Sequence, residues 1–184
     1  MIDRAAVFLD RDSTVIEDME FTTDPRKLKP LPGAVDALRR LQAAGYALVI
    51  VTNQSGVARG LFEETALREF HEHLLRRLAE RGVCLTAIYY CPHYAEGNVE
   101  EYSIQCKCRK PEPGMLLRAA REHGLDLKKS WMIGDRPCDI GAGQAAGCRT
   151  IRLGPAPEPS DPKADFDAPD LLQAAEIILA QSRP

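Results

Sequence analysis

The chain is 184 residues long, with a formal net charge of -3 and a pI near 5.8. That length suits one domain, residues 1–184, with a substantial core and no sizeable second lobe, and the charge offers no broad positive field to nucleic acid or anionic membranes. The longest uninterrupted apolar stretch, Tyr46 to Val51, is far shorter than a membrane span, and no signal-peptide pattern precedes the first expected strand, so a cytoplasmic protein is expected.

Ala5 to Leu9 reads as a first buried strand and ends in Asp10-Arg11-Asp12. A long connection, Glu17 to Leu31, leads to a helix over Gly33 to Ala44 and a strand over Ala47 to Val51. Thr52-Asn53-Gln54-Ser55-Gly56 follows that strand. Glu63 to Arg81 reads as a helix whose core face is Leu67, Phe70, Leu74 and Leu78. A third strand, Ala87 to Tyr90, opens a second long connection, Pro92 to Pro113. Pro113-Gly114 then starts a helix toward His123, with Met115, Leu116, Ala119 and Ala120 buried. Trp131 to Ile133 is a fourth strand, Ile140 to Ala146 a short helix ended by Gly147, and Thr150 to Leu153 a fifth strand. The proline-rich run from Gly154 to Pro162 reads as an extended connector before a closing helix over Asp170 to Ala180. Strands alternating with helices predict an α/β fold with a doubly wound parallel sheet.

In such sheets ligands bind outside the carboxyl ends of the strands, where Asp10 and Asp12 emerge. Alternate residues leaving a strand can face the same way, so one carboxylate can attack while the other moves a proton or binds metal. Thr52, Asn53, Gln54 and Ser55 bring a hydroxyl and amides to the same edge, suited to phosphate oxygens. Lys110, just ahead of a helix, offers a point charge for a phosphoryl group. Asp135, and Asp139 four residues on, add carboxylates after the fourth strand, and three converging carboxylates imply a hard cation, Mg²⁺.

With Asp10-Arg11-Asp12, Thr52, Lys110 and Gly134-Asp135 in this order, the sequence resembles the haloacid dehalogenase superfamily of phosphatases over nearly its whole length. The resemblance implies a HAD-like, Rossmannoid phosphatase without a cap domain. It makes Asp10 the nucleophile that forms an aspartyl-phosphate and Asp12 the general acid and base. Mg²⁺ would be held by Asp10, the Asp12 main-chain carbonyl and Asp135, while Thr52 and Lys110 hold the transferring oxygens. Asp139 would orient Lys110 or the waters of the metal. One departure stands out: the family usually has glycine after the second aspartate, and this chain has Ser13, so a strained or shifted loop is expected there.

Six cysteines without an export signal are expected as thiols or metal ligands. Cys91-Pro92-His93, twelve residues, then Cys106-Lys107-Cys108 gives four ligands in two close pairs, the Cys₃His set of a structural Zn²⁺ site, in a loop of about 91–108. Cys84, Cys138 and Cys148 lack paired spacing and read as small buried residues. With the zinc loop, Thr52 to Gly60 and Cys106 to Pro111, the chain looks like the D-glycero-D-manno-heptose 1,7-bisphosphate 7-phosphatase family. That likeness implies a phosphorylated sugar as ligand, with Asp18, Met19, Glu20, Phe21, Asn53, Gln54, Ser55 and Arg136 lining it and Arg109 recognising it. Arg109 and Arg136 suit a second, non-reacting phosphate. A sister family, histidinol-phosphate phosphatase, shares the aspartates and the zinc loop, and a noncatalytic zinc module is the rival from another class. No nucleic acid or membrane partner is expected, and a monomer is.

Overall fold

The computed structural model describes residues 4–155 and 158–181. Six strands, β1 (Ala6–Leu9), β2 (Ala47–Asn53), β3 (Ala87–Cys91), β4 (Trp131–Gly134), β5 (Arg149–Leu153) and β6 (Phe166–Ala168), form one sheet in the order β3-β2-β1-β4-β5-β6. Every neighbouring pair is parallel, with Leu9 beside Ile50 on one side and Ile133 on the other.

The pleat divides the apolar residues of each strand between two cores. Val7 and Leu9 of β1, with Leu48, Ile50 and Ile133, pack under α1 (Ala34–Ala43), α2 (Glu64–Ala79) and α5 (Leu171–Gln181). Ala6 and Phe8, with Val49, Val51 and Met132, pack under α3 (Gly114–His123) and α4 (Pro137–Ala146). Burial on both faces explains why the strands read as continuous apolar runs, and truncating one such side chain, Leu9→Ala for instance, costs about 2–5 kcal/mol. The four residues expected on the α2 core face are all buried. In α3, Met115, Leu116 and Ala119 are buried and Ala120 is half-buried.

After β1 the chain moves outward to β2 and β3, then returns to lay β4 on the opposite side of β1. The connections leaving β1 and β4 therefore diverge, opening a crevice between their carboxyl ends.

Three expectations change. β6 was not expected from the sequence. The helix expected from Ile140 begins at Pro137, because proline suits a first helical position and the Asp139 carboxylate accepts the Arg136 main-chain N–H at 3.0 Å. Of the unpaired cysteines only Cys148 is buried: Cys138 is half-buried and Cys84 exposed, on the connection from α2 to β3. Within the expected connector, residues 156 and 157 lie outside the described residues. Among the described residues no helix is long and apolar enough to cross a membrane.

Candidate active site

The Asp10 N–H donates to the Ile133 carbonyl at 2.9 Å, carrying the β1–β4 pairing one residue past the strand and setting Asp10 in the crevice. Its carboxylate accepts from the Lys110 ammonium at 2.8 Å. The same ammonium donates to the Val51 carbonyl at 2.7 Å and stands 2.6 Å from Asp139 Oδ1. Burial alone would push the Lys110 ammonium down, but Asp10 and Asp139 outweigh it and hold it above the ordinary lysine value. Burial pushes Asp139 up to about 6, with Lys110 opposing, so this pair is charged at neutral pH. Gly134 makes the arrangement possible, since a Cβ there would collide with the Asp139 carboxyl group.

Main-chain placement of Lys110 comes from Asn53, whose Oδ1 accepts the Lys110 N–H and whose Nδ2 donates to the Lys110 carbonyl, both at 3.0 Å. Gln54 Nε2 donates to Thr52 Oγ1 at 2.9 Å and to Asp12 Oδ2 at 3.0 Å. Both amides, expected to face a sugar, also hold Lys110, Thr52 and Asp12 in register.

Carboxylate oxygens of Asp10, Asp135 and Asp139 all lie within 4.8 Å of one another. Asp135 Oδ1 is buried without a hydrogen-bond partner, and burial, then Asp10, pushes its carboxyl up. The Lys110 ammonium and the exposed Arg136, 4.0 Å from Asp135 Oδ2, cannot neutralise three carboxylates, and an orphaned oxygen among them costs free energy unless a ligand meets it. An all-oxygen donor set with excess negative charge fits a hard divalent cation.

The Asp12 carboxylate lies outside that trio. Arg11 grips it with Nε and Nη2 at 3.0–3.2 Å. Burial raises the Asp12 carboxyl, Arg11 opposing and Asp10 adding to the rise. Arg11 is itself buried, 5.0 Å from the Phe70 ring centroid, with Nη1 3.0 Å from His71 Nε2. Burial, then Arg11, lowers His71 to about 3, so the ring is neutral and Nε2 accepts from Arg11. Sequence reasoning missed His71. The available signal was a histidine at the spacing of the core stripe, four residues after Leu67 and three before Leu74. Ser13 takes φ 57°, the left-handed conformation that glycine adopts without strain.

Around these groups runs a cavity of about 390 Å³ lined by Asp10, Asp12, Thr52 and Lys110, and by every one of Asp18, Met19, Glu20, Phe21, Asn53, Gln54, Ser55, Arg109 and Arg136. Glu20 and Phe21 are both left-handed, at φ 44° and 60°, at the tip of the β1 loop. Arg136 reaches that loop through Asp18 at 3.5 Å. Beside the cavity, Cys91, His93, Cys106 and Cys108 form the second cluster able to hold a metal. Their sulfurs are 3.1–3.4 Å apart and His93 Nδ1 is 3.4 Å from Cys108 Sγ. Hydrogen bonding with Cys91, then Cys106 and His93, pulls the Cys108 thiol down to about 5, favouring the thiolate that binds metal.

Comparison with known proteins agrees with this geometry. The D-glycero-β-D-manno-heptose-1,7-bisphosphate 7-phosphatase of Yersinia pestis is 42% identical over 180 residues, 96% of each chain. The chain belongs to that phosphatase family. The Escherichia coli K12 member is 40% identical over 183 residues, covering 97% of this chain and 96% of its own. A HAD-hydrolase-like family model matches residues 107–154, from the metal loop to the end of β5. The crystal structure of D,D-heptose 1,7-bisphosphate phosphatase from B. bronchiseptica, complexed with magnesium and phosphate, superimposes with a TM-score of 0.81 at 33% identity, covering 97% of this chain and 99% of that one. Heptose-bisphosphate phosphatases are phosphomonoester hydrolases, and the cavity floor has the groups such chemistry requires.

Proposed function

We propose that this protein removes the C7 phosphate of D-glycero-β-D-manno-heptose 1,7-bisphosphate through an aspartyl-phosphate on Asp10. The observation that carries the reading is the Lys110 ammonium fixed between Asp10 and Asp139 beside the orphaned Asp135 oxygen. Asp10 attacks phosphorus in line, while Lys110 and the Thr52 hydroxyl hold the non-bridging oxygens as charge develops. Asp12, whose carboxyl is raised by burial, gives its proton to the leaving alkoxide and then takes one from the water that cleaves the acyl phosphate. Asp10, Asp135 and the Asp12 main-chain carbonyl would hold Mg²⁺, which when bound offsets repulsion between carboxylate and phosphate.

Cys91, His93, Cys106 and Cys108 are assigned to a structural zinc, since four protein ligands leave no open position. The last ligand stands two residues before Lys110, so zinc fixes the segment that delivers the lysine. The proposed setting is the cytoplasm, with the chain acting as a monomer on a small phosphorylated sugar. Arg109 and Arg136 are placed to receive its second phosphate.

The test is phosphate release, with Mg²⁺, from the heptose bisphosphate and from histidinol phosphate, alongside metal analysis of the purified chain. A higher kcat/KM for the heptose substrate and one zinc per chain are expected. Preference for histidinol phosphate overturns the substrate assignment, and full activity without zinc overturns the role of the metal loop.

A further inference from the structure

Arg59, in the turn after β2, is left unused by the mechanism above. The turn is bolted to the metal loop: the Ala58 carbonyl accepts the main-chain N–H groups of Asn98 and Val99 at 2.7 and 2.9 Å, and Asn98 Nδ2 donates to the Arg59 carbonyl at 3.2 Å. Contact is so close that a Cβ on Gly97 would stand 2.6 Å from the Ala58 oxygen.

The Arg59 guanidinium lies 4.2 Å from the centroid of the Tyr94 ring and 5.8 Å from that of Phe21, and its Nε donates to Ser55 Oγ at 3.4 Å. Arg109 lies 5.1 Å from the same Tyr94 ring. Because Phe21, Ser55 and Arg109 all line the cavity, Arg59 stands at its rim. Several surface arginines are paired, as Arg26 is with Asp24, Arg39 with Asp36 and Arg118 with Glu122. Arg59 and Arg109 have no carboxylate partner among the described residues, and the Tyr94 hydroxyl is the group that engages Glu96, at 2.9 Å. Two like charges gathered round one ring repel each other, and an anion between them reverses the sign of that energy. Guanidinium forks match phosphate oxygens.

We propose that Arg59 is a specificity-determining residue which, with Arg109 beside the same Tyr94 ring, binds the non-reacting phosphate of the substrate. This rests on the bisphosphate reading above and adds to it a third arginine, delivered by the β2 turn. In a chain without a cap domain, the anion then ties the β2 turn to the metal loop at the end of the sugar remote from Asp10.

The experiment compares kcat/KM for heptose 1,7-bisphosphate and heptose 7-phosphate, which share the reacting end. The ratio of the two is measured for the wild type, Arg59→Gln and Arg59→Lys. Because both substrates meet the same sample, the ratio does not depend on the folded fraction. Glutamine keeps a planar group able to stack and removes the charge, whereas lysine keeps the charge. We expect the preference for the bisphosphate to fall about tenfold in Arg59→Gln and no more than about threefold in Arg59→Lys. An unchanged ratio in Arg59→Gln overturns the inference, as does a larger fall in Arg59→Lys than in Arg59→Gln, which would make Arg59 a stacking latch. A wild type with no preference overturns the bisphosphate reading itself, and this inference with it.

Discussion

The floor and the rim of the cavity are built by opposite means. At the floor, Asp10, Thr52, Lys110 and Asp139 are 7%, 1%, 3% and 0% exposed and stand at strand ends or against them, held by short charge-assisted contacts. At the rim, Phe21, Arg59, Tyr94, Arg109 and Arg136 sit on or beside loops, half-buried or exposed, and several meet through ring faces. Stabilising a transition state requires dipoles and charges that do not reorganise, which burial enforces. Choosing a sugar requires only that side chains reach it, and loops can be retuned without disturbing the floor.

The strongest way to break this contrast is Asp10→Asn. Phosphate release should fall at least about 10⁴-fold while the substrate still binds, because the rim is untouched. Turnover measured beside calorimetric binding checks it, and loss of binding together with turnover would mean that the two regions are not separable.

Next in size is Lys110→Ala, which leaves Asp10 and Asp139 facing each other without a counter-charge. Urea denaturation in magnesium-free buffer should show a loss of about 3–5 kcal/mol. Arg136→Ala, which removes an exposed pair with Asp18 and a loose one, at 4.0 Å, with Asp135, should cost less than about 1 kcal/mol by the same measurement. Equal losses would erase the distinction between floor and rim.

A third test uses acid. The His71 value in the folded chain, about 3, lies below its ordinary 6.5, so the unfolded chain takes up the proton first. The stability this residue contributes is complete above pH 6.5 and is lost as the pH falls toward 3. Between pH 7 and 5 that loss is about 2 kcal/mol. His71→Gln should lose less stability over the same interval by that amount, and identical pH dependence in the two proteins would remove His71 from the wall behind Asp12.

A smaller effect than that of His71 is expected at Ser13→Gly, which relieves the left-handed backbone and should add about 1 kcal/mol of stability. Faster turnover in the same variant would mean that the serine also displaces the loop carrying Asp12.

The floor was legible because its residues are pinned to strand ends. An apolar run announces the strand, and its last residue then announces which side chains enter the crevice, as with Leu9 and Asp10 or Val51 and Thr52. The Cys/His cluster was legible for a similar reason, since two close pairs of potential metal ligands bring four such side chains together almost by themselves. β6 was not, because Phe166-Asp167-Ala168 is too short to show a pattern and owes its existence to pairing with β5. The α4 start could have been read from Pro137 and Asp139, but its signal is a cap and not an apolar repeat. Arg11 with His71, and Arg59 with Tyr94, join residues far apart in sequence through side chains alone, and periodicity carries no record of such meetings. The left-handed Ser13 lies between these cases: the absent glycine marked the position, and the structure supplied the angle.

The Asn53 carboxamide gives the metal loop an unusual freedom. By mating with both main-chain polar groups of one residue, it does for Lys110 what an adjacent strand would do, so the lysine is indexed to β2 and not to the number of residues that precede it. Ile104 and Gln105, exposed between the Ser103 contact with Val99 and the Cys106 ligand, can therefore gain or lose a residue, while the five residues from Cys106 to Lys110 form a spacer whose length cannot change.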